Sequence, residues 1–405
     1  MLQVKGRLSG LGHLTFDSEK LIMNSIIKLL FFLLLILLVT ACAAPTERTP
    51  TPYPDTPSPA QITAPLVETP ALVSIRFLDE LDGWGVTETQ IVRTNDGGIT
   101  WYNVTPPNLV EIGYSVEMDV LDNDHAWVQK ADVEKYPNGG FLYRTADGGI
   151  TWTESTTPFS GGDMDFLDAS NGWILADLGV GAGSMGISVF QTTDSGATWK
   201  QKYTNDPNLE NASDSLPLGG LKNGFAPLDQ QTAWVYGVVY APGNVYLYRT
   251  DNGGETWSPV SIELPANAEN FEVGIDRDQM RFVSATDGFI VLRMVGDSTQ
   301  TAVYTTRDSG NTWALSPTLI PNGGASDFLS AEEAVIYNGD QFYVTRDGAR
   351  TWTIIPPDVK FGETFAGMDF VNALSGWIIA LDPTNNQRSL YRTSDGGATW
   401  FPVIQ

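Results

Sequence analysis

Thr94-Asn95-Asp96-Gly97-Gly98-Ile99-Thr100-Trp101 recurs along the whole chain. Thr145 to Trp152 reads TADGGITW, Thr192 to Trp199 TTDSGATW and Thr250 to Trp257 TDNGGETW. Thr306 to Trp313 reads TRDSGNTW, Thr345 to Trp352 TRDGARTW and Thr393 to Trp400 TSDGGATW. Seven copies of T-x-D-x-G-x-T-W, 39 to 58 residues apart, mark a repeat architecture. Each copy has the chemistry of a tight turn. The short carboxylate can accept N–H groups just ahead of it, and Gly tolerates positive φ. The Thr residues favour strand ends, and the Trp opens the next strand and can clamp the turn to the sheet. Asp96, Asp147, Asp194, Asp308, Asp347 and Asp395 therefore read as structural residues. Seven copies serve a fold, whereas a metal or catalytic site needs one. Asn252 takes the Asp place in the fourth copy and Ala349 the second Gly place in the sixth. Asn can still accept a turn hydrogen bond.

From Leu72 each unit carries a second signature ahead of the turn. Phe77 to Trp84, Phe166 to Trp173 and Phe370 to Trp377 each end in Gly-Trp, and Trp127, Trp234, Phe289 and Val335 hold the same place elsewhere. A strand, a tight turn, a Gly-Trp strand, a third strand ending at the Thr and a fourth beginning at the Trp make four antiparallel strands. The expected fold is all-β: a seven-bladed β-propeller of four-stranded antiparallel blades over residues 72–405, with sheet faces buried between neighbouring blades. The two aromatics of each unit are expected in that core.

The repeated turn resembles the Asp-box (BNR) repeat of sialidase-like propellers. In blade consensus (strand-one "DF", Gly-Trp, then YRTxDGGxTW) and in length the chain is more similar to the photosystem II stability/assembly factor family. That resemblance implies an exported, seven-bladed, non-enzymatic domain that escorts membrane-protein assembly intermediates. The sialidase resemblance implies an arginine triad, an Arg-Ile-Pro-type motif and a Tyr–Glu pair. Here the inner strands offer Arg76 and Arg281, and Arg76 is followed by Phe77-Leu78. Other Asp-box glycosidases need two carboxylates across a cleft. Asp119, Asp165, Asp327 and Asp369 can be nominated, and nothing singles out a pair. A sialidase-like glycan binder or glycoside hydrolase is the alternative function.

Ahead of the repeats, residues 1–42 read as a signal peptide. Met23 to Lys28 suits an n-region and makes Met23 the expected true start. Leu29 to Val39 is short for a membrane span but suits an h-region. Leu38-Val39-Thr40-Ala41-Cys42 resembles a bacterial lipobox, which makes Cys42 the lipid attachment site. Cys42 is the only cysteine in 405 residues, so no intramolecular disulfide can form. Residues 43–71, rich in Pro and Thr, read as a disordered stalk. The expected location is the cell envelope outside the cytoplasm, with the domain tethered to a lipid bilayer.

A net charge of −25 argues against nucleic acid as a partner. His125 is the only histidine outside the leader and stands at a turn position, so no His-based triad is available. No catalytic residue, metal or cofactor is expected, and the expected partner is another protein, itself membrane-associated. Two registers carry charge. Arg76, Asp119, Asp165, Ala226, Arg281, Asp327 and Asp369 share one position of the innermost strand, which suggests an ion-paired ring around the channel, with Arg76 between Asp119 and Asp369 and Arg281 beside Asp327. Arg93, Arg144, Arg249 and Arg392 lie three residues before the turn Asp. Long insertions at Lys130 to Gly140, Asp177 to Gly186, Lys200 to Gly224 and Ser258 to Gln279 fall on the face opposite the turns, where binding is expected.

Overall fold

Between the Gly-rich turns the chain runs in short β-branched and aromatic stretches, which pair antiparallel with their sequence neighbours. The structure, a computed structural model, describes residue 62 and residues 64–404. Met23, Cys42 and the signal peptide lie outside the described residues, as does most of the stretch 43–71.

The expectation of seven separate four-stranded blades is not met. Five sheets stand as discrete blades, and four of these have four strands. From the innermost strand outward they are Val116–Val120, His125–Ala131, Gly140–Ala146 and Thr153–Thr157; Gly162–Phe166, Gly172–Gly181, Ser184–Thr192 and Lys200–Thr204; Ala325–Phe328, Ala334–Tyr337, Phe342–Thr345 and Thr353–Ile355; and Phe365–Phe370, Gly376–Leu381, Arg388–Thr393 and Phe401–Ile404. The fifth blade, Leu72–Phe77, Gly83–Thr87, Ile91–Thr94 and Trp101–Asn103, gains an outer strand, Leu66–Val67, from within the stretch expected to be stalk.

The remaining strands, from Leu221–Pro227 to Ile320–Pro321, form one ten-stranded sheet. Its cause is Glu272–Gly274, inside the insertion expected to be loop. Gly274 pairs with Val238 on one side, while Glu272, Val273 and Gly274 pair with Val295, Met294 and Arg293 on the other. The glycine-rich Asp177 to Gly186 is not a loop either. It extends a hairpin to a tip at Ala182 and Gly183.

The core lies between sheets. Trp84, Trp127, Trp173, Trp234 and Trp377 are fully buried. Trp127 stacks on Phe166 of the next sheet at 3.7 Å between ring centroids. Truncating a buried Trp typically costs roughly 3–5 kcal/mol. Each sheet is built from a contiguous run of chain, so the last sheet meets the first through side chains. Trp377 Nε1 donates to the Gly97 carbonyl at 3.0 Å, and Ser375 Oγ donates to Glu80 Oε1 at 2.8 Å.

The repeated turns share one geometry. In the six turns with Asp, Oδ1 accepts the N–H four residues on at 2.8–2.9 Å. Oδ2 accepts that residue's hydroxyl at 2.6–2.7 Å. Asn252 reproduces the pattern: Oδ1 accepts Thr256 N–H at 3.1 Å and Nδ2 donates to Thr256 Oγ1 at 2.9 Å. Ala349 adopts φ +62°, where a Cβ is unfavourable, and its N–H still donates to Thr345 Oγ1 at 2.9 Å.

Candidate functional site

The innermost strands carry the charged register found in the sequence. Asp119, Asp327 and Asp369 act alike. Each reaches the next inner strand and accepts the backbone N–H one residue beyond the equivalent position. Asp119 Oδ2 takes Phe166 N–H at 2.6 Å, Asp327 Oδ2 takes Phe370 N–H at 3.0 Å, and Asp369 Oδ2 takes Phe77 N–H. Asp369 also meets Arg76, Nη1 to Oδ1 3.3 Å. The expected ring of ion pairs is thus partial. Arg76 has its partner, whereas Asp327 is spent on a backbone amide and forms no ion pair with Arg281. Asp165 breaks the amide series as well, because the next strand presents Pro227, which has no N–H.

Burial dominates the electrostatics of these carboxyls. It lifts Asp119 to about 7, with repulsion from Asp165 next, and Asp327 to about 8, with repulsion from Asp369 next. Asp165 rises to about 6 through burial, moderated by Arg281 and Arg76. Burial also raises Asp369, against the pull of Arg76 and the Phe77 amide.

A second cluster faces away from the turns. Glu117 and Asp163 stand two residues before Asp119 and Asp165, so the pleat points them the same way. Arg277 approaches from the connection between Glu272–Gly274 and Met280–Phe282. Its Nη2 lies 2.5 Å from Glu117 Oε1 and 3.7 Å from Asp163 Oδ1, so the two carboxylates are close neighbours. Asp163 Oδ2 accepts Phe225 N–H at 2.7 Å. Burial lifts Asp163 to about 8 despite Arg277, and Asp278 and Glu117 add repulsion. Glu117 is raised for the same leading reason. Lys222, only 3 % exposed, donates Nζ to the carbonyls of Met185 at 3.1 Å, Leu218 at 2.8 Å and Gly220 at 3.0 Å. Burial lowers it to about 8. With Tyr114 and Tyr136, 78 % and 55 % exposed, these residues surround a cup of about 370 Å³.

No protein-family model matches the chain. It is a propeller resembling photosystem II assembly factors. Over 253 residues it is 26 % identical to the photosystem II assembly lipoprotein Ycf48 of Synechococcus sp. (strain CC9902), which covers 56 % of this chain and 72 % of that one. Over 213 residues it is 28 % identical to a xyloglucanase of Paenibacillus sp., covering 47 % of this chain. The chain spans only 19 % of that enzyme's length. Among solved structures, YCF48 bound to a D1 peptide superposes with a TM-score of 0.50 at 16 % identity, over 83 % of this chain and 95 % of that one. The GH74 xyloglucanase from Xanthomonas campestris superposes with a TM-score of 0.53 at 13 % identity, over 84 % of this chain and 55 % of the enzyme. At such identities the solved structures establish the fold.

Sequence reasoning found the ring positions and missed the cup. Glu117 and Asp163 were legible through the period of two. Arg277 sits between Asp276 and Asp278 in an insertion that reads only as acidic, and nothing local marks Lys222 as buried. The second arginine series also has a use the sequence did not show. Arg93, Arg249 and Arg392 lie over the rings of Trp84, Trp234 and Trp377 at 4.9, 4.9 and 5.1 Å. His125 Nδ1 lies 3.0 Å from Asp122 Oδ1, within its own turn.

Proposed function

We propose that this protein is an extracytoplasmic binding propeller, tethered through a lipid on Cys42, that holds a segment of a membrane-associated protein in the cup around Arg277. In this role it serves as a scaffold or assembly factor. The observation that carries the reading is the charge imbalance of the cup. Its lining carries three acidic side chains, Glu117, Asp163 and Asp177, against Arg277 and Lys222. Lys222 is turned onto backbone carbonyls, and exposed Tyr114 and Tyr136 stand at the edge. A basic side chain of a partner segment would displace the proton that burial keeps on Asp163, pair with the carboxylates inside and meet an aromatic face at the rim. The solved YCF48 structure holds a D1 peptide, which makes a peptide the ligand to test first. The repeated turns act as Asp boxes that hold the blades and take no part in binding.

Basic, neutral and acidic peptides of equal length should be titrated into the protein. Basic peptides should bind best, and Asp163→Asn with Asp278→Asn should weaken them at least about tenfold, as for loss of hydrogen bonds to charge. Equal binding of all three classes would overturn the reading. Cys42→Ser should release the protein from membranes, and unchanged retention would remove the tether from the proposal.

One observation favours a second reading, a glycan-active enzyme. Asp163 is held protonated to about 8 beside Glu117, as a general acid requires. Against it, both carboxyls rest on one guanidinium, which favours their ionised forms over the protonated form a general acid needs. Turnover of xyloglucan or sialosides that disappears in Asp163→Asn would carry the second reading, and absence of turnover supports the first.

A further inference from the structure

Three of the four ring carboxylates are committed. Asp119, Asp327 and Asp369 each accept a backbone N–H from the neighbouring inner strand, and Asp369 holds Arg76 as well. Asp165 has neither. Pro227 removes the amide that its place in the series would receive, and among the described residues no hydrogen bond reaches its carboxylate. Arg281 is the mirror case. It is repelled by Arg76 and feels Asp165, yet among the described residues it has no ion pair within 4 Å.

The reason lies in the order of strands. Asp369 and Arg76 stand on neighbouring strands and close to 3.3 Å. Between Asp165 and Arg281 runs Leu221–Pro227, which touches both flanking strands and offers only Ala226 at this level. An opposite-charge pair is held apart by one strand with a methyl group between. A cavity of about 360 Å³ lies there, lined by Asp165, Ala226, Pro227, Met280, Arg281 and Ser284 among others. Leu167, Leu228 and Ser284 place it on the side of the repeated turns, away from the cup.

We propose that this gap binds a small zwitterion, a free α-amino acid, with its ammonium on Asp165 and its carboxylate on Arg281. A cation alone leaves Arg281 without an acceptor, and an anion alone leaves Asp165 without a donor. One molecule carrying both satisfies the two groups that the fold leaves open.

The test is calorimetric titration of the full chain with L-alanine, using propylamine and propionate as half-ligands. L-Alanine should bind, and each half-ligand should bind at least about tenfold more weakly, as for loss of a charge-assisted hydrogen bond. Asp165→Asn and Arg281→Gln should weaken L-alanine by a similar factor. Pro227→Ala returns an N–H opposite Asp165 and should weaken it too, without removing either charge. Asp163→Asn, in the cup, should leave L-alanine binding unchanged, which separates this site from the peptide site. The proposal is overturned by no L-alanine binding at millimolar concentration, by equal binding of either half-ligand, or by an unaltered affinity in folded Pro227→Ala protein.

Discussion

Phe77 lies flat on Trp377, 3.6 Å between ring centroids and 3° between planes. The first ring belongs to the innermost strand of the first sheet and the second to the last sheet, 300 residues on. Leu72, Val92, Trp101, Ile379 and Leu390 complete the apolar cluster around them. The seam where the ring of sheets closes is therefore an aromatic contact, reinforced by the Arg76–Asp369 pair and the Trp377 to Gly97 hydrogen bond.

Trp377→Ala should thus act on closure as well as on packing. A loss of ~3–5 kcal/mol is expected in urea unfolding, within the usual range for a truncated buried Trp. Hydrogen exchange should speed first in Leu72–Phe77 and Phe365–Phe370. Faster exchange spread evenly over all sheets would show that the seam has no special place.

The turn carboxylates make a graded prediction. Asp147 accepts from Thr151 N–H, Thr151 Oγ1 and Thr145 Oγ1. Asp147→Ala should cost ~1–3 kcal/mol through lost hydrogen bonds. Asp147→Asn should cost less than about 1 kcal/mol, because Asn252 already does this work in another turn. Equal losses in the two variants would mean that the charge, and not the acceptor geometry, holds the turn.

The buried carboxyls set a pH dependence. Asp119, Asp163, Asp165 and Asp327 titrate in the folded chain at about 7, 8, 6 and 8, far above an unfolded Asp. Between about pH 4, where an unfolded Asp titrates, and the folded values, the folded chain binds more protons than the unfolded one. Stability from these groups is complete below the unfolded value and is lost as pH rises through the folded values. The turn carboxylates, such as Asp147 and Asp308, are shifted downward by hydrogen bonds despite burial and act in the opposite direction, at lower pH. Melting temperature should therefore fall from pH 5 to pH 9, and Asp327→Asn should flatten the decline. A melting temperature that climbs over this interval would contradict the assignment.

Arg277 should matter more in alkali than in acid. It is about half-exposed, so its removal should cost only about 1 kcal/mol near neutrality. Arg277→Met leaves Glu117 and Asp163, both raised by burial, facing each other, and the penalty should grow as this pair ionises. Urea unfolding at pH 5 and pH 9 compares the two conditions directly. An equal penalty at both would show that Arg277 packs without balancing charge.

Much of this was legible before any coordinates, for identifiable reasons. The turn Asp residues and the Gly-Trp aromatics are local features repeated in a fixed register, and sequence displays register well. The charged inner-strand positions followed from the same register. Their partners did not, because whether Asp327 meets Arg281 or the Phe370 amide depends on the tilt of neighbouring strands. Pro227 was in plain view, yet its meaning needs the amide-accepting pattern of Asp119 and Asp369. The merging of sheets through Glu272–Gly274 left no trace, since three residues, of which only Gly274 pairs on both sides, look like any loop. The cup joins residues scattered from Tyr114 to Arg277, and nothing in a linear chain announces such a meeting.

Closure through side chains alone also sets an order of events at the ribosome. Each sheet can complete its hydrogen bonds as soon as its own stretch has emerged, because no strand is borrowed from a distant part of the chain. The apolar flank around Phe77 and Trp101 must wait for Trp377, Ile379 and Leu390, which are made long after it. A nascent chain halted before residue 365 would carry well-paired sheets with one uncovered hydrophobic end. Such a fragment should attract chaperones or self-associate until the sheet from Phe365–Phe370 to Phe401–Ile404 arrives.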